Sequence, residues 1–481
     1  MSTLQDNDEV KQFTDRCRRE QRAWAELPVR QRLRHIRLLR NALVSGHRSL
    51  STAVEQDLGK PPAETLSGEI LALGAACKFV EKRAAGLLKP RKVSLWDRPL
   101  WLMGQKDFVY RRPRGLVGII GTWNYPLFLN GVQIVQALVA GNAVLWKPSE
   151  VAPHSAEALW QWLQQGDFPA GLLARLPASR EAGKWLADAE IDHLVFTGHA
   201  QTGRILAEQM GRRLISSTLE LSGCDAEYVL DDANVEMAAK AAWFGSTSNK
   251  GQTCIAVRRV FVDRKLYPNF VDLLKPLAAA AVPMKLAMPA QAVQADQLIK
   301  EATSRGAKLL VEHKSPAEGF RPAVLIDVVP EMAVCRKDSF APIMAVIPYD
   351  QLEDAVVASQ DCDYNLGASV FTAEPRRAYA IADALQVGMV TVNDVLAPTA
   401  HPATPFGGTK LSGWGVTQGA EGLLEMTVPQ VVSIRKGKWR PHYDPPGTTK
   451  MTSEKTMAAL LQWTHGATWW QRTKGFLRLL W

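Results

Sequence analysis

The stretch LVGIIGTWNYPLFLNGVQIVQALVAGNAVLWKPSE, residues 116–150, decides the fold class. Two short apolar runs, LVGII and AVLWK, flank GVQIVQALVAG, whose apolar residues recur at helical spacing. Parallel strands need a crossover connection, so strand, helix and strand in this order predict a βαβ unit. The rhythm continues with LLARLP at 172, HLVFTG at 193 and LELSG at 219, and QTGRILAEQMGRR supplies another helix between them. The expected class is α/β with a parallel sheet, and a nucleotide crevice belongs at the carboxyl ends of its strands.

Upstream, residues 9–90 are helical in period and close at Gly59-Lys60-Pro61-Pro62. Downstream of Cys254 a second alternation begins: VRRVFVD, a helical stretch around 266–305, then KLLVE, AVLID, MAVIPY, ASVFT and MVTVND, which predicts another α/β domain. Two stretches near 93–113 and 427–439 read as extended ribbons outside both, either arms that pair across subunits or ordinary edge strands.

The 481 residues contain 47% hydrophobic and 22% charged residues, an ordinary globular composition. Six cysteines lie far apart without a C-x-x-C pair, which argues against a zinc ribbon and a disulfide framework and for reduced thiols in a cytosolic setting. No metal site is expected. The first twenty residues lack the apolar core of a signal peptide, and no uncharged apolar run is long enough to span a membrane. The net charge of +9 is concentrated in the tail, where nine Lys/Arg face two acids from Val432 onward. A localised basic tail is not a nucleic-acid-binding surface.

Two glycine-rich stretches are decoys. GHAQTGRI lacks the Lys-Ser/Thr pair of a phosphate loop, and GWGVTQG follows no strand and misplaces its third glycine. The chemistry lies elsewhere. Cys254, in SNKGQTCIAVRRVFVD, is a packed sulfur or a nucleophile whose thiolate a turn of backbone amides favours. Asn124 follows a strand where its amide can meet a developing oxyanion, and Lys147 and Glu150 end the next strand, where a ribose can sit. Gly198 turns the chain into a helix whose amino end can face a pyrophosphate, and Glu220 follows an apolar strand.

Taken together, the asparagine motif, WKPSE, FTG…G, LELSG, GQTC and PFGGTKLSG resemble the aldehyde dehydrogenase superfamily, over about residues 10–440 and in that family's order. Asn-Tyr-Pro at 124–126, the short N-terminus and the tail look most like its class 3, or fatty-aldehyde, branch. The resemblance implies a Rossmann-like cofactor domain (1–92 and 113–219), an α/β catalytic domain (220–425), a β bridging and oligomerisation arm (93–112 and 426–440) and a basic, Trp-rich tail (441–481). It implies NAD(P)-dependent oxidation of a medium- or long-chain aliphatic or aromatic aldehyde. Cys254 would attack the carbonyl carbon, Asn124 and the Cys254 amide would hold the oxyanion, and Glu220 would activate the hydrolytic water. Lys147 and Glu150 would hold the adenosine ribose, and Gly198, His199 and Gly203 would form the pyrophosphate turn. Thr122, Trp123, Asp338 and Phe340 complete the cofactor contacts, and Tyr125 and Phe406 the substrate pocket. A homodimer follows by the same resemblance.

Departures accompany the match. KDSFAP places Lys337 and Asp338 where the family has two glutamates, Ser222 and Cys224 replace a glycine and a lysine, and His199 stands for a serine. Glu150 accepts from a free ribose hydroxyl and repels a 2′-phosphate, so NAD is the expected cofactor, with NADP possible. The tail interleaves Trp463, Trp469, Trp470, Phe476, Leu477 and Trp481 with Arg472, Lys474 and Arg478. That composition suits a membrane interface at the cytoplasmic face, or a terminal helix docked on the body, with Gly466 and Gly475 weakening one continuous helix. Rival functions are an acyl-transferring, coenzyme A-dependent relative and a non-catalytic scaffold.

Overall fold

The computed structural model describes residues 2–99, 102–313, 319–438 and 440–480. Two seven-stranded sheets carry the α/β architecture. In the first, strands lie in the order Ser2–Thr3, Leu173–Arg175, Ala143–Lys147, Leu116–Ile120, His193–Thr197, Ser216–Glu220, Gly413–Trp414. All pairs are parallel except the last. Strand order reverses beside Leu116–Ile120, which places a crevice at the carboxyl ends of that strand and His193–Thr197. The crossover helix Phe128–Ala140 is buried along its whole length, and its polar side chains Asn130, Gln133 and Gln136 each donate a hydrogen bond inside the core.

The second sheet runs Lys308–Leu309, Ala323–Ile326, Ile343–Tyr349, Val257–Asp263, Asp225–Val229, Gly367–Phe371, Met389–Val392. Its strand Asp225–Val229, DAEYV, is disguised in the sequence by two acids, both buried. Burial raises both carboxyls well above the carboxylate range, and Glu227 has no hydrogen-bond partner among the described residues, so the neutral form is the one the sheet accommodates. The stretch around 266–305 resolves into two helices, Tyr267–Ala280 and Pro289–Ser304, because Pro283 and Pro289 lack the amide a continuous helix needs. Of KLLVE only Lys308–Leu309 is strand.

Helices Asn7–Glu26, Val29–Leu58 and Leu71–Leu87 supply much of the first core. Val29–Leu58 ends where Gly59 takes φ +58, at the predicted stop.

The chain divides into two compact units. Residues through Lys89 with Arg111–Gln430 form the first, and Pro90–Tyr110 with the chain from Val431 onward form the second. The two predicted ribbons pair with each other: Thr427–Arg435, Gln105–Pro113 and Arg91–Lys92 make a three-stranded sheet. Leu100, Trp101 and Trp439 of these ribbons, and Trp481 of the tail, lie outside the described residues. The tail is a helical hairpin, Glu454–His465 and Trp469–Leu480. Gly466 ends the first helix. A Cβ on Gly475 would lie 2.4 Å from the Trp463 nitrogen, so glycine is what lets the helices close, with Trp463 against Phe476 at 5.1 Å. Among the described residues no helix is long and apolar enough to cross a membrane, and no metal-holding cluster occurs.

Candidate active site

Cys254 follows a turn, Ser248–Gly251, in which Asn249, Lys250 and Gly251 take φ of 49°, 60° and 71°. A Cβ on Gly251 would lie 2.6 Å from the Ala341 and Pro342 backbone, so only glycine fits. Two non-glycine residues in the left-handed region store roughly 1–3 kcal/mol each, and surrounding bonds must hold them there. They do. The Asn249 amide donates to Glu64 Oε1 at 2.8 Å, its side chain donates to the Asn124 carbonyl at 2.9 Å, and Arg258 donates to the Gly251 and Ala341 carbonyls. The turn sets Cys254 into a cleft also lined by Glu220 and Asn124.

Glu220 is the last residue of its strand, whose backbone is matched by Gly413 of PFGGTKLSG on the neighbouring antiparallel strand. Cys254 Sγ donates to Glu220 Oε1 at 3.8 Å, and Thr197 Oγ1 lies 3.5 Å from Oε2. Gln133 Nε2 donates to Thr197 at 2.9 Å and orients that hydroxyl. Burial raises the Glu220 carboxyl to about 7, against the opposing hydrogen bonds from Cys254 and Thr197. The Cys254 thiol is pushed well above its usual range chiefly by burial and then by the neighbouring Glu220 carboxyl, while the Ile255 and Cys254 amides pull it the other way. The amide turn therefore does not by itself ionise the thiol, as its sequence suggested. A half-buried neutral thiol beside a carboxyl that accepts a proton near neutrality is the arrangement present.

Asn124 is 2% exposed, and its Nδ2 donates to the Gln252 carbonyl at 3.1 Å, within two residues of Cys254. Thr122 Oγ1 donates to Asn124 Oδ1 at 2.8 Å, which fixes which end of the amide faces the cysteine turn. Beneath it lies an ion pair the sequence did not reveal. Lys60 Nζ and Glu69 Oε1 are 2.6 Å apart with side chains 1% and 0% exposed, and Lys60 also donates to the Asn124 carbonyl at 3.0 Å. Glu69 Oε2 accepts from the Leu127 amide at 2.8 Å, at the start of the crossover helix, where a carboxylate is favourable. Tyr125 hydrogen-bonds Thr253 at 3.1 Å, and its ring sits 4.1 Å from Lys60 Nζ.

From this end the cleft, about 880 Å³, runs along the carboxyl ends of the first sheet. Thr122, Trp123, Lys147, Glu150, Gly198, His199, Asp338 and Phe340 all line it; Gly203, Tyr125 and Phe406 do not. Gly203 instead packs its helix on Leu221, since a Cβ there would come within 2.7 Å of that side chain. Phe406 is 5% exposed and pairs its backbone with Thr417. Lys147 Nζ donates to Glu150 Oε2 at 2.9 Å, and Arg180, unremarked in the sequence, donates to Oε1 at 3.1 Å. Burial works to raise Glu150, but the bonds from Lys147, its own backbone and Arg180 hold the carboxyl down to about 2. His199 caps the helix Ala200–Arg212 through Nδ1, accepting from Gln201, and its Nε2 lies 3.8 Å from Asp338 Oδ2. Tyr364 donates to the other Asp338 oxygen at 3.1 Å. Phe340 and Trp123 meet at 6.0 Å.

Lys and carboxylate at a strand end, a glycine and a helix amino end beyond the next strand, and an aromatic pair near a thiol form a fitting donor set for a nicotinamide dinucleotide.

The profile of the aldehyde dehydrogenase family matches residues 2–432. The 4,4′-diapolycopene aldehyde oxidase of a Methylomonas species is 34% identical over 430 residues, covering 87% of this chain and 80% of its own. A Mycobacterium ulcerans protein provisionally named succinate-semialdehyde dehydrogenase [NADP(+)] 2 is 34% identical over 439 residues, covering 87% and 83%. The crystal structure of a Mycobacterium tuberculosis aldehyde dehydrogenase complexed with NAD+ superposes with a TM-score of 0.79 at 27% identity, covering 86% of each chain. The chain belongs to the aldehyde dehydrogenase family.

Proposed function

We propose that the protein oxidises an aldehyde to its carboxylic acid with NAD or NADP, using Cys254 as nucleophile. The observation that carries this reading is the 3.8 Å contact between Cys254 Sγ and the raised Glu220 carboxyl beside the Asn124 amide. Glu220 takes the thiol proton as sulfur bonds to the carbonyl carbon. The oxyanion that forms is held by Asn124 Nδ2 and the Cys254 amide. The nicotinamide, when bound, supplies the hydride acceptor. The oxyanion collapses with loss of hydride to that acceptor and leaves a thioester on Cys254; Glu220 releases the thiol's proton to solvent, removes a proton from water attacking the thioester carbon, and returns it to sulfur as the C–S bond breaks and the acid leaves. A base in place next to the thioester favours water as the acyl acceptor over coenzyme A.

Lys147 and Glu150 hold the adenosine ribose in this reading, Gly198 and His199 the pyrophosphate, and Asp338, Phe340, Thr122 and Trp123 the nicotinamide end. Gly203 shapes the pyrophosphate turn through its packing on Leu221, and Tyr125, hydrogen-bonded to Thr253 beside Cys254, sits nearer the substrate than the buried Phe406 does. The two curated relatives are named for different aldehydes, so the substrate class rests on this chain. Asn-Tyr-Pro at 124–126 and the tail support the class 3, fatty-aldehyde branch and a medium- or long-chain or aromatic aldehyde. Trp469, Trp470, Leu477 and Leu480 are 68%, 74%, 49% and 63% exposed among Arg472, Lys474 and Arg478, which supports peripheral contact with an anionic membrane face from a reducing, cytoplasmic compartment. Exposed Val431 and Ile434 on the arm support a homodimer.

The experiment is NADH formation with aldehydes graded in chain length, run beside Cys254→Ala. Turnover should fall by about a thousandfold or more. Equal turnover in the variant would refute the nucleophile. Sedimentation with anionic vesicles, lost on deleting 456–481, tests the tail.

A further inference from the structure

The fold gathers three thiols that lie far apart along the chain. Cys224 Sγ donates to the Cys335 carbonyl at 3.7 Å and Cys362 Sγ to the Arg336 carbonyl at 4.0 Å, so two consecutive carbonyls receive the two sulfurs. The Cys224 and Cys362 thiols also lie in hydrogen-bond contact with each other. Cys224, Cys335 and Cys362 are all buried, and none is in a disulfide. Neither Cys224 nor Cys362 lines the cleft that holds Cys254.

Two side chains pin the segments that carry this pair. Arg259, itself buried, donates through Nε to the Cys224 carbonyl and through Nη1 to the Ser359 carbonyl, each at 2.9 Å. Ser412 Oγ donates to the Ser222 carbonyl at 2.8 Å and accepts from the Asn365 amide at 3.1 Å. Both clamps tie the chain at Cys224 to the chain flanking Cys362, which keeps the sulfurs together.

The thiols differ in reactivity. Burial raises Cys17, Cys77 and Cys335 to about 11, 12 and 12. The hydrogen bond from Cys224, and then the Arg259 charge, hold the Cys362 thiol down to about 6 against the same burial. A thiolate beside a guanidinium is the nucleophile of such a pair, and its neutral neighbour Cys224 is the resolving thiol. Cys362 sits in a turn between exposed Asp361 and Asp363, so solvent lies one residue away on either side.

Each cysteine is also joined to the reacting centre. Cys224 follows Glu220 on one short segment, and a Cβ on the intervening Gly223 would lie 2.4 Å from the Cys254 carbonyl oxygen. Cys362 precedes Tyr364, whose hydroxyl donates to Asp338 at 3.1 Å.

We propose that Cys224 and Cys362 form a redox switch, which hydrogen peroxide closes to a disulfide that slows aldehyde oxidation and a thiol reductant reopens. The Cys362 thiolate attacks the peroxide; an S–O bond forms, the O–O bond breaks, and the departing hydroxide takes up a proton as water. The Cys224 sulfur then attacks the sulfenic sulfur; the S–S bond forms, the S–O bond breaks, and a second water leaves with the Cys224 proton. The two thiols lose two electrons and one peroxide gains them. Closure draws the sulfurs from hydrogen-bond contact to about 2.05 Å, which moves the segment packed on Cys254 and the segment that holds Asp338.

The test treats the full-length chain with hydrogen peroxide, maps its peptides and follows turnover before and after dithiothreitol. A Cys224–Cys362 linked peptide should appear in the parent and equally in Cys254→Ala. The map needs no turnover, so it reads the disulfide independently of the proposed reaction. Turnover of the parent should fall by about tenfold or more as the link forms and return with dithiothreitol. Cys362→Ala and, as a second variant, Cys224→Ser should keep the basal rate, form no link and lose most of the reversible inhibition. If no link joins these two cysteines, or if the linked chain turns over within about twofold of the reduced one, the proposal is wrong. Reversible inhibition undiminished in both variants would assign it to oxidation of Cys254 and overturn the proposal as well.

Discussion

At the Cys254 end of the cleft the polar framework is buried: Lys60 and Glu69 are 1% and 0% exposed, and Asn124 and Glu220 are each 2% exposed. At the Glu150 end, about half the partners face water, with Arg180 84% and Glu150 34% exposed. In a low-dielectric interior each unsatisfied group is costly, so bonds at the first end are interlocked and positions are held for chemistry. At the second end solvent screens each charge, so cofactor preference can be tuned there without disturbing the fold. One continuous cleft thus joins a braced, buried centre around Cys254 to a solvent-screened recognition corner at Glu150.

The strongest challenge to this contrast is Glu220→Gln. Without the base, turnover should fall by about a hundredfold to ten-thousandfold in steady-state assays. The same carboxyl sets the pH dependence. Because its pKa is raised to about 7, the protonated form dominates below neutrality, and kcat/KM should fall about tenfold per pH unit there. The linkage to stability has the opposite sense. A carboxyl raised from 4.5 in the unfolded chain binds more protons when folded, so the native state loses stability as pH rises from about 4.5 to 7. Glu220→Gln should therefore be more stable than the parent at pH 8 in urea titrations, by up to about 3 kcal/mol. An inactive variant with no gain in stability would mean that burial is not what raises the carboxyl.

Lys60→Met leaves Glu69 buried without its cation and should cost about 3–5 kcal/mol in chemical denaturation, while Lys60→Met with Glu69→Leu should recover part of it. A loss below about 1 kcal/mol would break the contrast, since the buried end would then behave like a surface pair. The smallest effect belongs to the exposed side of the cleft. His199→Ser removes a half-exposed partner 3.8 Å from Asp338 and should change the KM for NAD by about threefold or less. A change of a hundredfold would move His199 to the rigid part of the site.

Much of this was legible in the chain alone. The five central strands of the first sheet and the helix between Leu116–Ile120 and Ala143–Lys147 followed from apolar runs, as a parallel sheet buried on both faces writes them, whereas the two-residue edge strands Ser2–Thr3 and Gly413–Trp414 carry no such signal. Cys254, Glu220 and Asn124 stood out because each sits in a local motif, and the fold brings all three to one cleft. The strand Asp225–Val229 was missed because two buried acids break its apolar signal. The 266–305 region keeps a helical period throughout, and only its prolines at 283 and 289 betray the break between its two helices.

Fold class, family and the candidates for nucleophile, base and oxyanion donor could be read from the chain, because they depend on residue type and near-neighbour spacing. Tertiary structure alone decided that Lys60 and Glu69 brace Asn124, that Glu220 is raised by burial, and that Arg180 faces Glu150 thirty residues away along the chain. Those outcomes depend on dielectric surroundings and on distances across the fold. Neither exists until the two sheets have packed.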